Sequence, residues 1–493
     1  MENYGFWSIL PPFLAIALAI KTRQVFISLL FGIWIGWVIL NQWNPFHGTL
    51  ATIQALVDVF KDAGNTRTIM FSSLVGALIA FIQRSGGVEG FINYVNRFLQ
   101  YIESRKKGNS RRVVQLLAWI TGVSIFVESS INALTVGSIF RPIFDRLKIP
   151  REKLAYIADS ISAPTCILIP LNAWGAYIMG LLLAQGLNDP LGIMIRAYPQ
   201  NVYPFLAMLM VLLVITLQKD FGPMAKAEKR ARMEGKVLAD HATPMISSDV
   251  IALPKKEEIK PRARNMIVPI LTMVLMMPVG LIYSGWGQVE DIASLGLGSA
   301  LFKAVGSGSG STAVLWAVLS ALLMGGIMYR AQGFFKLPEL IDLTFKGVGG
   351  LIPLALLMML AFAIGKVCRD LGTGLFVAEM SKEWLSPHFV PLVVFLASCF
   401  IAFSTGTSWG TFAIMIAIAV PMAVTMEVSI PLTVAAVLGG GVFGDHCSPI
   451  SDTTIISSMA SASDHIDHVK TQLPYALTAG LVAAFFYLIM GFI

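Results

Sequence analysis

Charge is scarce in this chain. Lys, Arg, Asp and Glu make up 13% of 493 residues, and 56% are hydrophobic. Soluble domains carry about a quarter charged residues, so a water-soluble globular body is excluded. Cysteine is scarcer still. Cys166, Cys368, Cys399 and Cys447 are scattered through apolar segments and fit neither a disulfide framework nor a zinc spacing. The apolar run 6–20 lacks a basic region before it and a small-residue cleavage site, so it reads as a first membrane helix and not a secretory signal. No ring-forming filter tract is present, which argues against a channel. The net charge of +7 does not point to nucleic acid, because the basic residues gather in a few loops between apolar segments, the pattern that sets membrane topology. The expected setting is a multi-pass protein of the inner (plasma) membrane, with lipid as its partner and no nucleic acid.

A crossing needs about 20 apolar residues, and ordinary candidates lie at 6–20, 24–40, 66–83, 200–218, 265–284, 312–329, 350–367 and 472–492. Loops 104–112, 141–153 and 219–264 are strongly basic and are expected on the cytoplasmic side. Region 113–140 then begins and ends on one side, which predicts a re-entrant helical hairpin turning near Val127–Asn132. Region 154–186 must cross. It is interrupted at Asp159-Ser160-Ile161-Ser162-Ala163-Pro164-Thr165, where proline predicts a broken helix. The loop 219–264, with 11 basic and 7 acidic residues, reads as a mobile cytoplasmic linker.

The second half echoes the first. Ile82–Phe91 aligns with Val367–Phe376 at an offset of 285, Val127–Pro150 with Ser408–Pro431 at 281, and Ser162-Ala163-Pro164 with Cys447-Ser448-Pro449 at 285. The expected fold is an all-α polytopic membrane protein of two inverted repeats, each with a re-entrant helical hairpin and a broken transmembrane helix. The first repeat covers 1–219, with hairpin 113–140 and broken helix 154–186. The linker is 220–264. The second repeat covers 265–493, with hairpin 389–425 and broken helix 431–460, and both termini are expected outside.

Residues 439–458, GGGVFGDHCSPISDTTIISS, place two carboxylates and an imidazole inside a chain otherwise suited to lipid. Ionisable groups at membrane depth are costly and mark ion paths, and a glycine-rich, proline-interrupted stretch is expected to free backbone carbonyls for a hard cation. Asp445 and Asp452 flank Pro449; the bland alternative is that one caps a half-helix. Ser448, Ser451, Thr453 and Thr454 either offer hydroxyl oxygens or bond their own helix. Ser404, Thr405, Thr407 and Ser408 lie at the second hairpin tip. Glu128, Ser129 and Asn132 lie at the first, and Asp159 and Ser162 in the first broken helix. Glu128 and Asp159 read as a second cation site or proton carrier, or as a salt bridge or cap. Asn172 is a weaker polar candidate. The sodium site is expected at Asp445, Asp452 and Thr453, with proton coupling at Asp452, Asp445 or Glu128. His446 beside Asp445 would titrate near neutral pH. The tract Asp464-His465-Ile466-Asp467-His468 reads as a solvated loop.

With these motifs in view, Gly444–Thr454 and the tract Ser404–Gly410 resemble the NhaC-type sodium/proton antiporter family of the ion transporter superfamily. The resemblance implies hairpin tips and discontinuous helices meeting at a midplane site, frequent dimers, and a transport domain moving against a scaffold. It also admits members that exchange organic solutes, such as malate for lactate. Family members carry a basic residue after Gly-Asp and an asparagine after Ser-Asp-Thr-Thr; here those places hold His446 and Ile455.

The reading is a cation-coupled secondary transporter, sodium/proton antiport first, with Na⁺ and H⁺ as transported ions and no cofactor. The alternative on the same fold is a sodium- or proton-coupled transporter of a small organic solute, an amino acid or carboxylate. A cationic solute would want the carboxylates. An anionic one would want helix N-termini and an arginine, and no arginine lies in the proposed tips. An intramembrane hydrolase built on Ser448, His446 and Asp445 is disfavoured, because nearly consecutive residues around one proline cannot converge as a triad.

Overall fold

The computed structural model describes residues 4–22, 24–91, 93–94, 97, 110–126, 129–169, 172–187, 189–244, 259–288, 300–301, 304, 308–382 and 385–493. Among the described residues the regular structure is helical, without strands. Eight helices among the described residues are long and apolar enough to cross a membrane, or up to nine if the bent pair Leu337–Gly350 and Ala355–Asp370 forms one span.

Side-chain size is arranged for lipid. Helix Arg264–Gly285 turns Ile267, Leu271, Leu275 and Val279 outward at four-residue spacing, and helix Gly310–Ala331 does the same with Leu319, Leu323 and Ile327. The inward stripe of the second helix is Ala313, Ala317 and Ala321, all fully buried. A helix in water would bury the large residues. Against lipid tails nothing is lost by exposing them, and small residues let backbones approach.

At the centre lie helices Arg151–Leu168 and Ile430–Cys447. Every residue from Glu152 to Ile167 is buried, as is nearly all of the second helix. The glycine-rich stretch explains how a helix can be enclosed so fully. A Cβ on Gly440 would stand 2.4 Å from the Phe395 carbonyl oxygen, and one on Gly444 2.4 Å from that of Cys399. These glycines lie four apart and seat the helix against Val390–Thr405. They serve close packing, and the helix runs unbroken to Cys447, so they do not free carbonyls.

A helix pair followed by an interrupted helix occurs twice. Ser129–Arg146 corresponds to Ser408–Thr425, Arg151–Leu168 to Ile430–Cys447, and the start of Ala173–Ala184 to the start of Asp452–Ala460. Each of these boundaries lies 279 residues after its counterpart. This corrects the 285-residue match of the two proline motifs. It also moves the first interruption: the helix passes through Asp159–Thr165 with Pro164 inside it and ends at Leu168. Pro164 removes one backbone donor, a loss neighbouring helices can accommodate. The effective breaker is Pro170, because the residue before a proline is pushed out of the helical region and Ile169 is extended (φ −115°, ψ 115°). Asn172 then caps the next segment by accepting from the Gly175 N–H. In the second copy Ser451 holds the equivalent cap position.

Two other expectations change. Within the linker, Gly222–Glu234 is a packed helix burying Met224, Ala227, Glu228 and Ala231. Arg230 pairs with Glu152, and Glu228 with Arg111 and Arg232. The tract 464–468 is no solvated loop either: Asp464 caps a helix that begins at His465 and runs to Met490, and His468 is fully buried.

Gly444→Val would force the central helix away from the hairpin arm. Overpacking typically costs about 1–3 kcal/mol, so thermal unfolding in detergent should show a clear loss. Gly349→Ala, where an added Cβ meets nothing within 4 Å, should be neutral or slightly stabilising.

Candidate functional site

A group of buried polar residues gathers where the two central helices meet the last helix. Asp159, fully enclosed on helix Arg151–Leu168, receives three partners on Oδ2: the Gln472 amide donates at 2.6 Å, the Thr454 hydroxyl donates at 3.1 Å, and His468 Nε2 lies 3.4 Å away. Gln472 also donates to the His446 carbonyl oxygen at 2.6 Å, tying the two central helices together. His446 is engaged at both ring nitrogens, Nε2 with the Ser160 hydroxyl at 2.9 Å and Nδ1 with the Tyr203 hydroxyl at 2.7 Å. A hydroxyl can donate or accept, so a neutral imidazole is fully satisfied there.

On the residue just before His446, Asp445 Oδ2 accepts from the Ser408 hydroxyl at 2.9 Å. Ser408 opens the second arm of the hairpin Val390–Thr405/Ser408–Thr425, whose turn is set by Gly406 in the left-handed region (φ 68°). A Cβ on Gly406 would stand 2.7 Å from the Ile450 carbonyl oxygen. The hairpin tip therefore rests on the break Ser448–Ser451. Asp445 lies at the end of the preceding half-helix, where carbonyl groups carry partial negative charge. In the first copy, the Asn172 amide bonds the Phe126 and Cys166 carbonyl oxygens at 2.8 Å each, pinning hairpin and broken helix in the same manner.

Several expected site residues do local work. Asn132 donates to the carbonyls of Gly122 and Ile125 and closes the first hairpin. Ser162 and Thr405 bond carbonyls of their own helices, and Thr407 and Ser451 are N-caps. The Ser448 hydroxyl accepts from the Ile450 N–H at 3.4 Å, and Thr453 meets the Ser451 hydroxyl at 3.1 Å. Ser129 is buried at the start of its helix, while Ser404 is half-buried. Glu128 lies outside the described residues. Asp452 opens the second half-helix, but its side chain lies outside them. Four residues of the cluster escape the sequence reading: Ser160, Tyr203, His468 and Gln472. A signal existed for two. Asp464 with Asp467 three residues later is an N-cap pattern, and it would have extended the last helix so that His468 and Gln472 share a face.

A family model described as the Na+/H+ antiporter family matches residues 165–492, a stretch holding the second hairpin, its broken helix and the last helix. The chain belongs to the Na+/H+ antiporter family. An uncharacterized protein of Haemophilus influenzae is 33% identical over 99% of this chain and 91% of its own length. The arginine/ornithine antiporter ArcD of Halobacterium salinarum is 30% identical over 35% of this chain and 36% of its own. The malate-2H+/Na+-lactate antiporter of Bacillus subtilis is 30% identical over 22% of this chain and 24% of its own. In fold, the chain is similar to the YdaH transporter of Alcanivorax borkumensis, with a TM-score of 0.59 at 15% identity over 90% of this chain and 89% of that one. Membership establishes a multi-pass membrane transporter with cation-coupled activity, not an enzyme. The hydrolase reading falls away.

Gln472→Leu keeps the volume but strips a donor from Asp159 and from the His446 carbonyl. Hydrogen bonds to charged groups contribute about 1.5–3 kcal/mol, so the variant should unfold at a distinctly lower temperature. Gln54→Leu, in an exposed helix-surface pair with Asp58, should not.

Proposed function

We propose that this protein is a sodium/proton antiporter working by alternating access, with Na⁺ held at Asp445 and the proton carried by the Asp159 cluster. The observation that carries this reading is the burial of one carboxylate on each of the two central helices, Asp445 beside the Ser408 hydroxyl and Asp159 among Gln472, Thr454 and His468. Ionisable groups enclosed at membrane depth are costly and mark ion paths. Asp445 suits Na⁺. Beside it are the Ser408 hydroxyl and the carbonyl oxygens of an interrupted helix, the donor set a hard cation prefers. If occupancy by Na⁺ and by a proton exclude each other, the two fluxes are coupled without further machinery. Inversion of the two repeats, re-entry of the hairpins, a cytoplasmic linker with both termini outside, and a homodimer belong to the same proposal.

The second reading, exchange of a small organic solute, is favoured by the names of two relatives, one an arginine/ornithine and one a malate/lactate antiporter. It is also supported by the cluster of Trp174, Tyr177 and Trp409 beside Ser408, with ring centroids 4.8 and 5.0 Å apart. Such rings attract guanidinium and ammonium groups.

Reconstituted proteoliposomes with an outwardly directed proton gradient should accumulate radioactive sodium. Asp445→Asn and Asp159→Asn should fold, reach the membrane and lose this exchange. Normal exchange by either variant overturns the role given to that residue. Gradient-driven arginine or malate uptake without sodium exchange would establish the second reading instead.

A further inference from the structure

Helix Asp452–Ala460 and the residue after it carry a face that apolar packing does not require. Thr454, Ser457, Ser458 and Ser461 recur at spacings of three and four, so they share one side of the helix, and all four are fully buried. Thr454 donates to Asp159, and Ser458 meets His465 Nδ1 at 3.0 Å. Among the described residues the Ser457 and Ser461 hydroxyls have no hydrogen-bond partner, and neither do Asp159 Oδ1, His468 Nδ1 and Gln472 Oε1. Alanine would fill this seam equally well, as Ala460 does where it abuts Gly137. Buried polar atoms without partners are costly and rare, and these five belong either to the Asp159 cluster or to the helix line that runs from it through Thr454 to Ser461.

The far end of that line is closed by a knot of charge. Arg151 holds Asp145 with two bonds of 2.9 Å and donates to the Ala462 carbonyl oxygen at 3.1 Å. Asp464 accepts from the Thr243 N–H at 3.0 Å and from its hydroxyl at 3.1 Å. The knot thus joins the first hairpin, the first broken helix, the end of the second and the linker.

We propose that the transported ion passes between Asp159 and the linker side of the membrane along the hydroxyl face of Thr454, Ser457 and Ser461, and that the Arg151–Ala462 and Asp464–Thr243 contacts form the gate at its mouth. The proposal rests on the transport reading above. The structure is then the state closed on that side, and the unpaired hydroxyls find their partners, ion or water, only when the gate opens. A rigid packing seam has no use for them.

Ser457→Cys and Ser461→Cys test the path in the full-length chain, with the parent protein as control for the four buried cysteines. A membrane-impermeant cationic thiosulfonate applied to sealed vesicles of each orientation should modify both variants from the linker side only, and modification should block transport. Adding Arg151→Gln to Ser461→Cys should speed modification several-fold. Absence of modification in a variant that transports, or equal modification from the opposite side, overturns the path. A modification rate unchanged by Arg151→Gln overturns the gate. Sodium-dependent thermal stabilisation of the parent chain separates the two readings: its loss speaks against the sodium site, while its presence with an unreactive Ser461→Cys speaks against the path alone.

Discussion

The cost of enclosing the Asp159 carboxylate within a lipid-embedded bundle governs the arrangement around it. An ionised group there must be compensated by directed dipoles or by a mobile charge. Its position between the central helices dictates what the neighbouring elements supply: a glutamine and a histidine from the last helix, and a threonine from the second half-helix. Glycines at 440 and 444 bring the second central helix close to its hairpin, and Asp445 lies one residue beyond Gly444, facing the hairpin's Ser408. Packing and chemistry are thus solved by the same stretch of chain.

The two copies of the hairpin and broken helix are built alike but equipped differently. Asn172 and Ser451 occupy equivalent cap positions at equivalent breaks. By the same 279-residue spacing, Asp159 corresponds to Leu438 and Asp445 to Cys166, so each copy contributes one carboxylate at a place where the other is apolar. The matched helix boundaries describe the scaffold, and the residues that differ between the copies mark the candidate site.

Polar residues interrupting apolar runs were legible in the sequence, and so were the turn at Gly406 and the break around Pro449. Glycine and proline act locally, so their effect can be read without knowing the neighbours. The first break was misread because two prolines compete in one helix. Pro164 sits inside a segment enclosed on every side, where tertiary packing holds the helix together. Pro170 is followed closely by a cap at Asn172, which makes ending the helix favourable. His468 was misread for a different reason. A run of Asp and His residues looks solvated by composition, and only the N-cap at Asp464 turns it into the first turns of a membrane helix. Tyr203 and Ser160 carry no signal of their own, since their role exists only where they meet His446.

At the centre of the proposed mechanism, Na⁺ at Asp445 and a proton on the Asp159 cluster exclude each other. The most direct measurement is calorimetric titration of the purified protein with sodium across a pH series, in buffers of different ionisation enthalpy. The account predicts proton release on sodium binding and an apparent sodium affinity that falls with falling pH, approaching about tenfold per pH unit where the cluster is protonated. Sodium binding that releases no protons and keeps the same affinity across the series would contradict it.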